Sequence, residues 1–143
     1  MIDLAGVRTA LAAVLEAAPL ALRVYPMEPP VTAAMEYPCV VLGQPPLEYS
    51  NRAIGWEGIR LDLPCRLYCA GGSDEETLAE LDSYRSPDGN KSLRAAIVAK
   101  DTLNGAVSYA EVTDVGPLQR DHDDGGRLAE LSFPFTVWLL VNP

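Results

Sequence analysis

The chain has 143 residues, a formal net charge of −9 at pH 7, 48% hydrophobic residues and 22% charged residues. This length predicts a single domain, residues 1–143, that can bury a core without disulfides or metals. The acidic balance argues against a general nucleic-acid binder or an anionic-membrane binder, since phosphate contacts need clustered Lys and Arg. With no visible signal peptide and no run of ~18 apolar residues, we expect a cytosolic protein.

The first third of the chain predicts one helix and two extended pieces. Asp3 is placed to cap a helix, and Pro19 is placed to end it. The helix has one apolar stripe, made by Leu4, Val7, Leu11, Val14 and Leu15. A short extended piece and a proline-rich turn follow in Arg23–Pro30. Tyr37–Gly43 then holds a continuous apolar run, which predicts a strand that is central or covered on both faces.

The segment Gln44–Glu57 is longer than the usual hairpin loop of about 2–5 residues, although it joins two strand candidates. It places Tyr49, Arg52, Ile54 and Trp56 within eight residues. Trp, Tyr and Arg are the side chains that most often dominate protein–protein contacts. We therefore expect these four residues to form an interface, although a loop folded back on its own domain is an equal alternative.

The stretch Gly58–Arg85 has the best-determined pattern in the chain, a strand that runs into a helix. Apolar residues occupy every second position from Ile59 to Cys69, which predicts a half-buried strand. Ser73 and Glu76 form a capping-box pattern that predicts a helix start. The helix would present an inward stripe of apolar residues, made by Leu78, Leu81 and Tyr84.

The last third predicts a second helix opened near Ser92 and two further strands. Asn104-Gly105 is a turn signal before a strand at Ala106–Val115, whose weak alternation favours a position near one edge of the sheet. The final strand, Leu128–Val141, is the longest. Pro134 lies inside it, which predicts a bulge or an edge location.

The order of these elements predicts an α+β fold. Strands come in adjacent pairs, so we expect a mainly antiparallel sheet of about four to five strands with the helices packed on one face. The three cysteines, Cys39, Cys65 and Cys69, lie in strand patterns and are expected to be buried free thiols. Cys65 and Cys69 would lie roughly 13 Å apart on one strand face, too far for a disulfide.

One cluster of polar residues is a candidate for chemistry, the loop from Asp121 to Asp124 that contains His122 and Asp123. A histidine among carboxylates can bind a divalent cation, but the spacing matches no known metal loop, and a solvated turn explains it more simply. No phosphate loop, dinucleotide fingerprint or nucleophile elbow is present. We therefore expect a protein without enzymatic activity, metal or cofactor.

The succession of these patterns resembles a known family. The relevant residues are Val24-Tyr25-Pro26, Tyr37–Leu42, the strand Arg60–Cys69, Gly72–Glu76, Leu81–Tyr84, Ser86–Gly89, Ser92–Ala96, Thr102–Val107 and the long final strand. In order and spacing, from Asp3 to Val141, they resemble the tail terminator (minor tail, tail-completion) proteins of long-tailed bacteriophages. The resemblance implies an α+β fold, no active site and a ring, usually a hexamer, that stops growth of the tail tube.

The resemblance also implies the partners of the protein. They would be copies of itself, the tail tube protein and the head–tail connector or stopper, with DNA only passing through the bore of the ring. The protein would then reside in the virion, at the head-proximal end of the tail, after assembly in the host cytoplasm. Three alternatives remain: a connector or stopper protein, a small adaptor or binding domain, and a metal-dependent enzyme that uses Asp121–Asp124.

Overall fold

Two twelve-residue strands form the centre of the protein, as the alternating pattern of each predicts. They are β4 (Ile59–Ala70) and β7 (Glu130–Val141), and they pair antiparallel over their whole length, from Ile59 opposite Val141 to Ala70 opposite Glu130. The computed structural model describes residues 3–17, 19–26, 36–44, 48–49, 59–70, 74–121 and 130–141.

Five strands are placed side by side in the order β1, β2, β4, β7 and β5, with β1 at Arg23–Tyr25, β2 at Cys39–Leu42 and β5 at Tyr109–Val115. Two short strands, β3 (Glu48–Tyr49) and β6 (Gln119–Asp121), pair with β4 and β7. β1 and β2 are parallel, and the other pairs are antiparallel. The predicted α+β class with a mainly antiparallel sheet is confirmed, as is the edge position of β5.

Three helices complete the described fold: α1 (Leu4–Glu16), α2 (Asp74–Arg85) and α3 (Leu93–Ala99). The Asp3 side chain caps α1 by accepting a hydrogen bond from the Gly6 N–H (2.9 Å), and Ser92 caps α3 by accepting one from Ala95 (3.0 Å). The helices contact different strands: α1 lies against β1, α2 against β4 and β7, and α3 against β5. That all three share one face of the sheet stays a prediction.

The core lies on one face of the central strands. Every odd-numbered residue of β4 from Ile59 to Cys69 is buried, and so are Phe133, Phe135, Val137, Leu139 and Val141 of β7. The neighbours between them on β4 are exposed or half-buried. Because strand side chains alternate between faces, the sheet has one buried face and one face that is partly open. We call the second one the open face.

The predicted apolar stripe of α2 is wrong at one position. Leu81 and Tyr84 are buried as expected, but Leu78 is 43% exposed and Thr77 is buried in its place. Thr77, Leu81 and Tyr84 are spaced by four and three residues, which aligns them along one side of a helix. Leu78 lies beside that line, so its apolar side chain faces solvent. Ser73, the predicted cap, lies outside the described residues.

Two prolines lie in the central strands, and each is matched by a glycine at the end of the neighbouring strand. The Gly43 N–H, just after β2, donates to the Pro64 carbonyl (2.7 Å), and the Gly116 N–H, just after β5, donates to the Pro134 carbonyl (2.8 Å). A Cβ on Gly43 would stand 2.7 Å from the Pro64 Cγ, and one on Gly116 would stand 2.6 Å from the Pro134 Cγ. The residue that lies beside each proline must therefore be a glycine, because any side chain there would collide with the proline ring.

This arrangement corrects the prediction for Pro134. β7 lies between β4 and β5, so it is not an edge strand. The predicted bulge is not at Pro134 either, because Pro134 pairs in register with Arg66 of β4. The register shift of β5, between Val112 and Asp114, stands opposite Val137 and Thr136. β5 then ends and β6 begins beside Pro134, a position where a residue without an N–H is tolerated.

We expect Gly116→Ala to lower the free energy of unfolding by about 1–3 kcal/mol, because the new methyl group collides with a stiff proline ring. The same substitution in a Pro134→Ala background should cost less, since the ring is gone. Urea unfolding of the wild type, both single variants and the double variant measures this coupling. Costs that simply add would contradict the proposed contact.

Candidate functional site on the open face of the sheet

The predicted interface loop, Gln44–Glu57, is described only at Gln44 and in β3. The Gln44 side chain accepts a hydrogen bond from the Arg8 guanidinium of α1 (2.8 Å). In β3, Glu48 pairs with Arg60 and Tyr49 pairs with Ile59, so the loop returns to the first residues of β4. Arg52, Ile54 and Trp56 lie outside the described residues, and the interface role of all four residues stays a prediction.

A cluster of large side chains lies on the open face beside this point. The Trp138 ring of β7 is the centre: the Tyr109 ring approaches it edge-on, with centroids 5.9 Å apart and planes at 66°, and the Arg60 Cζ lies 5.6 Å from its centroid. Arg60 and Tyr109 are exposed, and Trp138 is half-buried. We call Arg60, Tyr109 and Trp138 the aromatic cluster.

The register of the sheet brings these residues together from three strands. Arg60 and Tyr109 both stand opposite Leu140, and Trp138 stands between Asp62 of β4 and Glu111 of β5. The Tyr109 hydroxyl donates a hydrogen bond to the Glu111 carboxylate (3.0 Å), and this bond raises the pKa of Tyr109 above its ordinary value. Tyr109 is therefore held in position as a neutral phenol.

A second polar group on the same face joins strands to one another. Arg66 of β4 donates from its Nη1 to the Gln119 side chain of β6 (2.7 Å) and to the Ser132 hydroxyl of β7 (3.1 Å). Ser132 is fully buried. Buried polar atoms need such hydrogen-bond partners. The structural role of Arg66, which holds β6 to the sheet, therefore accounts for this group.

The three cysteines confirm the sequence prediction, since all are free and buried. Burial raises the pKa of Cys65 to about 12 and, together with the Glu80 carboxylate, that of Cys69 to about 12. The thiolate is the nucleophilic form of cysteine. Neither Cys65 nor Cys69 is therefore suited to nucleophilic catalysis at neutral pH.

Within the described ranges, no group of three or more His, Cys, Asp or Glu residues is placed to hold a metal ion. This finding does not test the loop Asp121–Asp124, because Asp121 ends β6 and residues 122–129 lie outside the described ranges. Among the described helices, none is long and apolar enough to cross a membrane.

The sequence contains a signal for the aromatic cluster that the prediction did not use. Trp138 falls on the polar side of the final strand, with Ser132 and Thr136, where a large aromatic residue is unusual. Its meeting with Arg60 and Tyr109 depends on the pairing of residues far apart in the chain. Alternation within one strand cannot supply that pairing.

Comparison with known proteins does not identify the chain: no protein-family model matches it, and no curated protein gives a significant match. The resemblance to tail terminators therefore depends on the order and spacing of elements in the sequence.

We expect none of the three cysteines to react with a thiol-specific chromogenic reagent at pH 7.5 in the folded protein, because all are buried and Cys65 and Cys69 stay protonated. All three should react at once in concentrated urea. Absorbance of the released chromophore counts the reacted thiols. One fast-reacting thiol in the folded protein would show that at least one of the three cysteines is accessible to solvent.

Proposed function

We propose that the chain is the structural subunit of a ring that caps the tail tube of a long-tailed bacteriophage, stops its elongation and provides the surface for head–tail joining. The identity of the assembly comes from the resemblance of the sequence to tail terminators. The α+β class with a mainly antiparallel sheet agrees with what that resemblance implies. Each subunit would bind neighbouring copies of itself to form the ring, and the ring would bind the tail tube protein and the connector or stopper.

The observation that supports a contact role most strongly is the aromatic cluster. It combines Trp, Tyr and Arg, the three residue types that most often dominate the energy of protein–protein interfaces. They stand on three neighbouring strands, so the surface is held by the sheet. A rigid, partly exposed patch loses little conformational entropy when a partner binds.

The aromatic cluster also lies next to the described part of the predicted interface loop. β3 pairs Glu48 with Arg60, so this part of the loop runs beside the cluster. We propose that the loop and the aromatic cluster contribute to one contact surface for the tail tube. The acidic balance of the chain is compatible with a bore through which DNA slides, since carboxylates repel phosphates.

The proposal is tested with tail tube protein that polymerises in solution. Wild-type protein should halt elongation, and electron microscopy should then show shorter tubes than in its absence. An adaptor or an enzyme would leave the distribution of tube lengths unchanged. A connector or stopper would bind finished, terminator-capped tails and would not halt elongation itself. An unchanged distribution of tube lengths would overturn the proposed function, and so would binding to capped tails without a halt in elongation.

We expect Trp138→Ala to weaken capping by about tenfold or more, because the central side chain of the cluster is lost. Trp138→Phe keeps an aromatic ring between Arg60 and Tyr109 and should retain most of the activity. The concentration of protein that halves the mean tube length measures the effect. Circular dichroism confirms that each variant is folded. Equal capping by Trp138→Ala and the wild type would remove the cluster from the contact surface.

For the loop itself, the change is Arg52→Ala together with Trp56→Ala. The variant should remain folded by circular dichroism and should fail to form rings or to cap tubes of normal length. Normal capping would exclude these two side chains from the mechanism. Unfolding of the variant would instead indicate that Trp56 packs on its own domain.

A further inference from the structure

The two edge strands of the sheet differ in how their outer backbone groups are satisfied. β1 is three residues long, and its Val24 N–H donates a hydrogen bond to the Glu16 carboxylate of α1 (3.3 Å). β5 is seven residues long, and no described strand lies on the side away from β7. Free N–H and C=O groups on such an edge pair readily with another chain. We call the outer side of Tyr109–Val115 the β5 edge.

The hydrogen bonds to β7 show which backbone groups of β5 point outwards. The Gly116 N–H donates to the Pro134 carbonyl, and Asp114 stands opposite Thr136 in the same register. In an antiparallel pair every second residue bonds to the partner strand, and the residue between points its N–H and C=O the other way. Val115 therefore directs both groups away from β7, and no hydrogen bond from another described element reaches them.

A groove of about 250 Å³ runs along the β5 edge, where α2 ends and α3 begins. Residues 112–115 of β5 line it. Val112 and Val115 stand opposite buried residues of β7, whereas Asp114 stands opposite Thr136 on the open face. One groove can contact side chains of both faces only if it follows the edge between them. An added strand would lie in this groove, which we call the edge groove.

Two exposed apolar side chains flank the same edge. Val98 of α3 is 56% exposed and Tyr109 is 39% exposed, and they are two of the three exposed large apolar residues in the described ranges. Arg94 and Val98 are four residues apart, so they lie on one side of α3, and Arg94 lines the edge groove. An added strand directs alternate side chains to opposite faces, towards Val98 on one side and Tyr109 on the other.

The charges beside the β5 edge favour a basic occupant. Three carboxylates stand near it: Asp101, Glu111 and Asp114. Of the two arginines that line the edge groove, Arg85 donates to Asp82 (3.2 Å), and Arg94 is exposed. Carboxylates on an edge strand repel another acidic strand, such as β5 of a second copy, and attract Lys and Arg. An extended segment that carries basic side chains therefore fits this edge.

We propose that the β5 edge binds an extended, basic segment of the tail tube protein by strand addition. The segment pairs its backbone with the outer groups of β5, and its alternate side chains contact Val98 and Tyr109. In such contacts the main-chain hydrogen bonds supply affinity and the side chains supply specificity. Tyr109 belongs to both the β5 edge and the aromatic cluster, so the two form one surface for the same partner. This inference depends on the proposed function, and it names how the partner is held.

A proline in the strand tests the edge directly. Val115→Pro removes an N–H that points away from β7, so the pairing of β5 with β7 is retained. Val115→Ala is the matched control, because it shortens the same side chain and keeps the N–H. We expect Val115→Pro to raise the concentration that halves the mean tube length by about tenfold or more, and Val115→Ala to act like the wild type. Circular dichroism shows whether each variant is folded.

A peptide probe tests the edge without the tail tube protein. The probe has the length of β5, seven residues, alternates lysine with valine and is blocked at both ends. In a titration followed by NMR, it should shift the amide signals of Val98 and of Tyr109–Val115 in the wild type. A peptide with glutamate in place of lysine should shift them much less, because carboxylates stand beside the edge. This titration decides the question if Val115→Pro does not fold.

The outcomes separate the site, its occupant and the proposed function. Shifts confined to other surfaces, or equal shifts with both peptides, overturn the strand-addition site. Peptide binding at the β5 edge together with normal capping by Val115→Pro overturns the tail tube segment as the occupant. Self-association that Val115→Pro abolishes while capping stays normal would assign the edge to a second copy instead. A wild type that binds the lysine peptide but never halts elongation overturns the proposed function and retains the site.

Discussion

The antiparallel pairing of β4 with β7 is the constraint on which the rest of the structure depends. Twelve residues of each strand match without a register shift, and this places one apolar side chain of each strand opposite another at every second position. Slipping the pair by one residue would turn the whole apolar set towards solvent. The same register sets the open face, where it brings Arg60 beside Trp138 and joins Arg66 to Ser132.

The elements that sequence reasoning predicts well are those whose signal is local. Alternation from Ile59 to Cys69 marks β4. Asp3 and Ser92 mark the starts of two helices because each capping side chain accepts a hydrogen bond from the N–H group three residues further along the chain. Leu78 shows where a local pattern fails, since Leu78 and Thr77 both stand at helical spacing from Leu81 and only Thr77 is buried. Which residues of a helix become buried depends on the strands that pack against it. The sequence pattern of the helix alone carries no information about those strands.

The remaining features arise from long-range pairing. β3 and β6 are two and three residues long, too short to show a period, and they exist because β4 and β7 offer partners. In the sequence, Gly43 and Gly116 look like ordinary loop residues. Their contacts with Pro64 and Pro134 become visible only when the pairing of the strands is known. The aromatic cluster likewise unites residues 60, 109 and 138. The sequence prediction of an interface at Tyr49, Arg52, Ile54 and Trp56 stays a prediction, and the aromatic cluster is a separate set of residues that only the pairing of the strands brings together.

The proposed function requires that copies of this chain assemble into a closed ring. The most direct measurement is the native mass of the wild-type protein, alone and with tail tube protein, over a wide range of concentrations. We expect one dominant species whose mass is an integral multiple of the 15.4 kDa chain and corresponds to a small ring. A monomer under all conditions, or a ladder of open oligomers that grows with concentration, would contradict it.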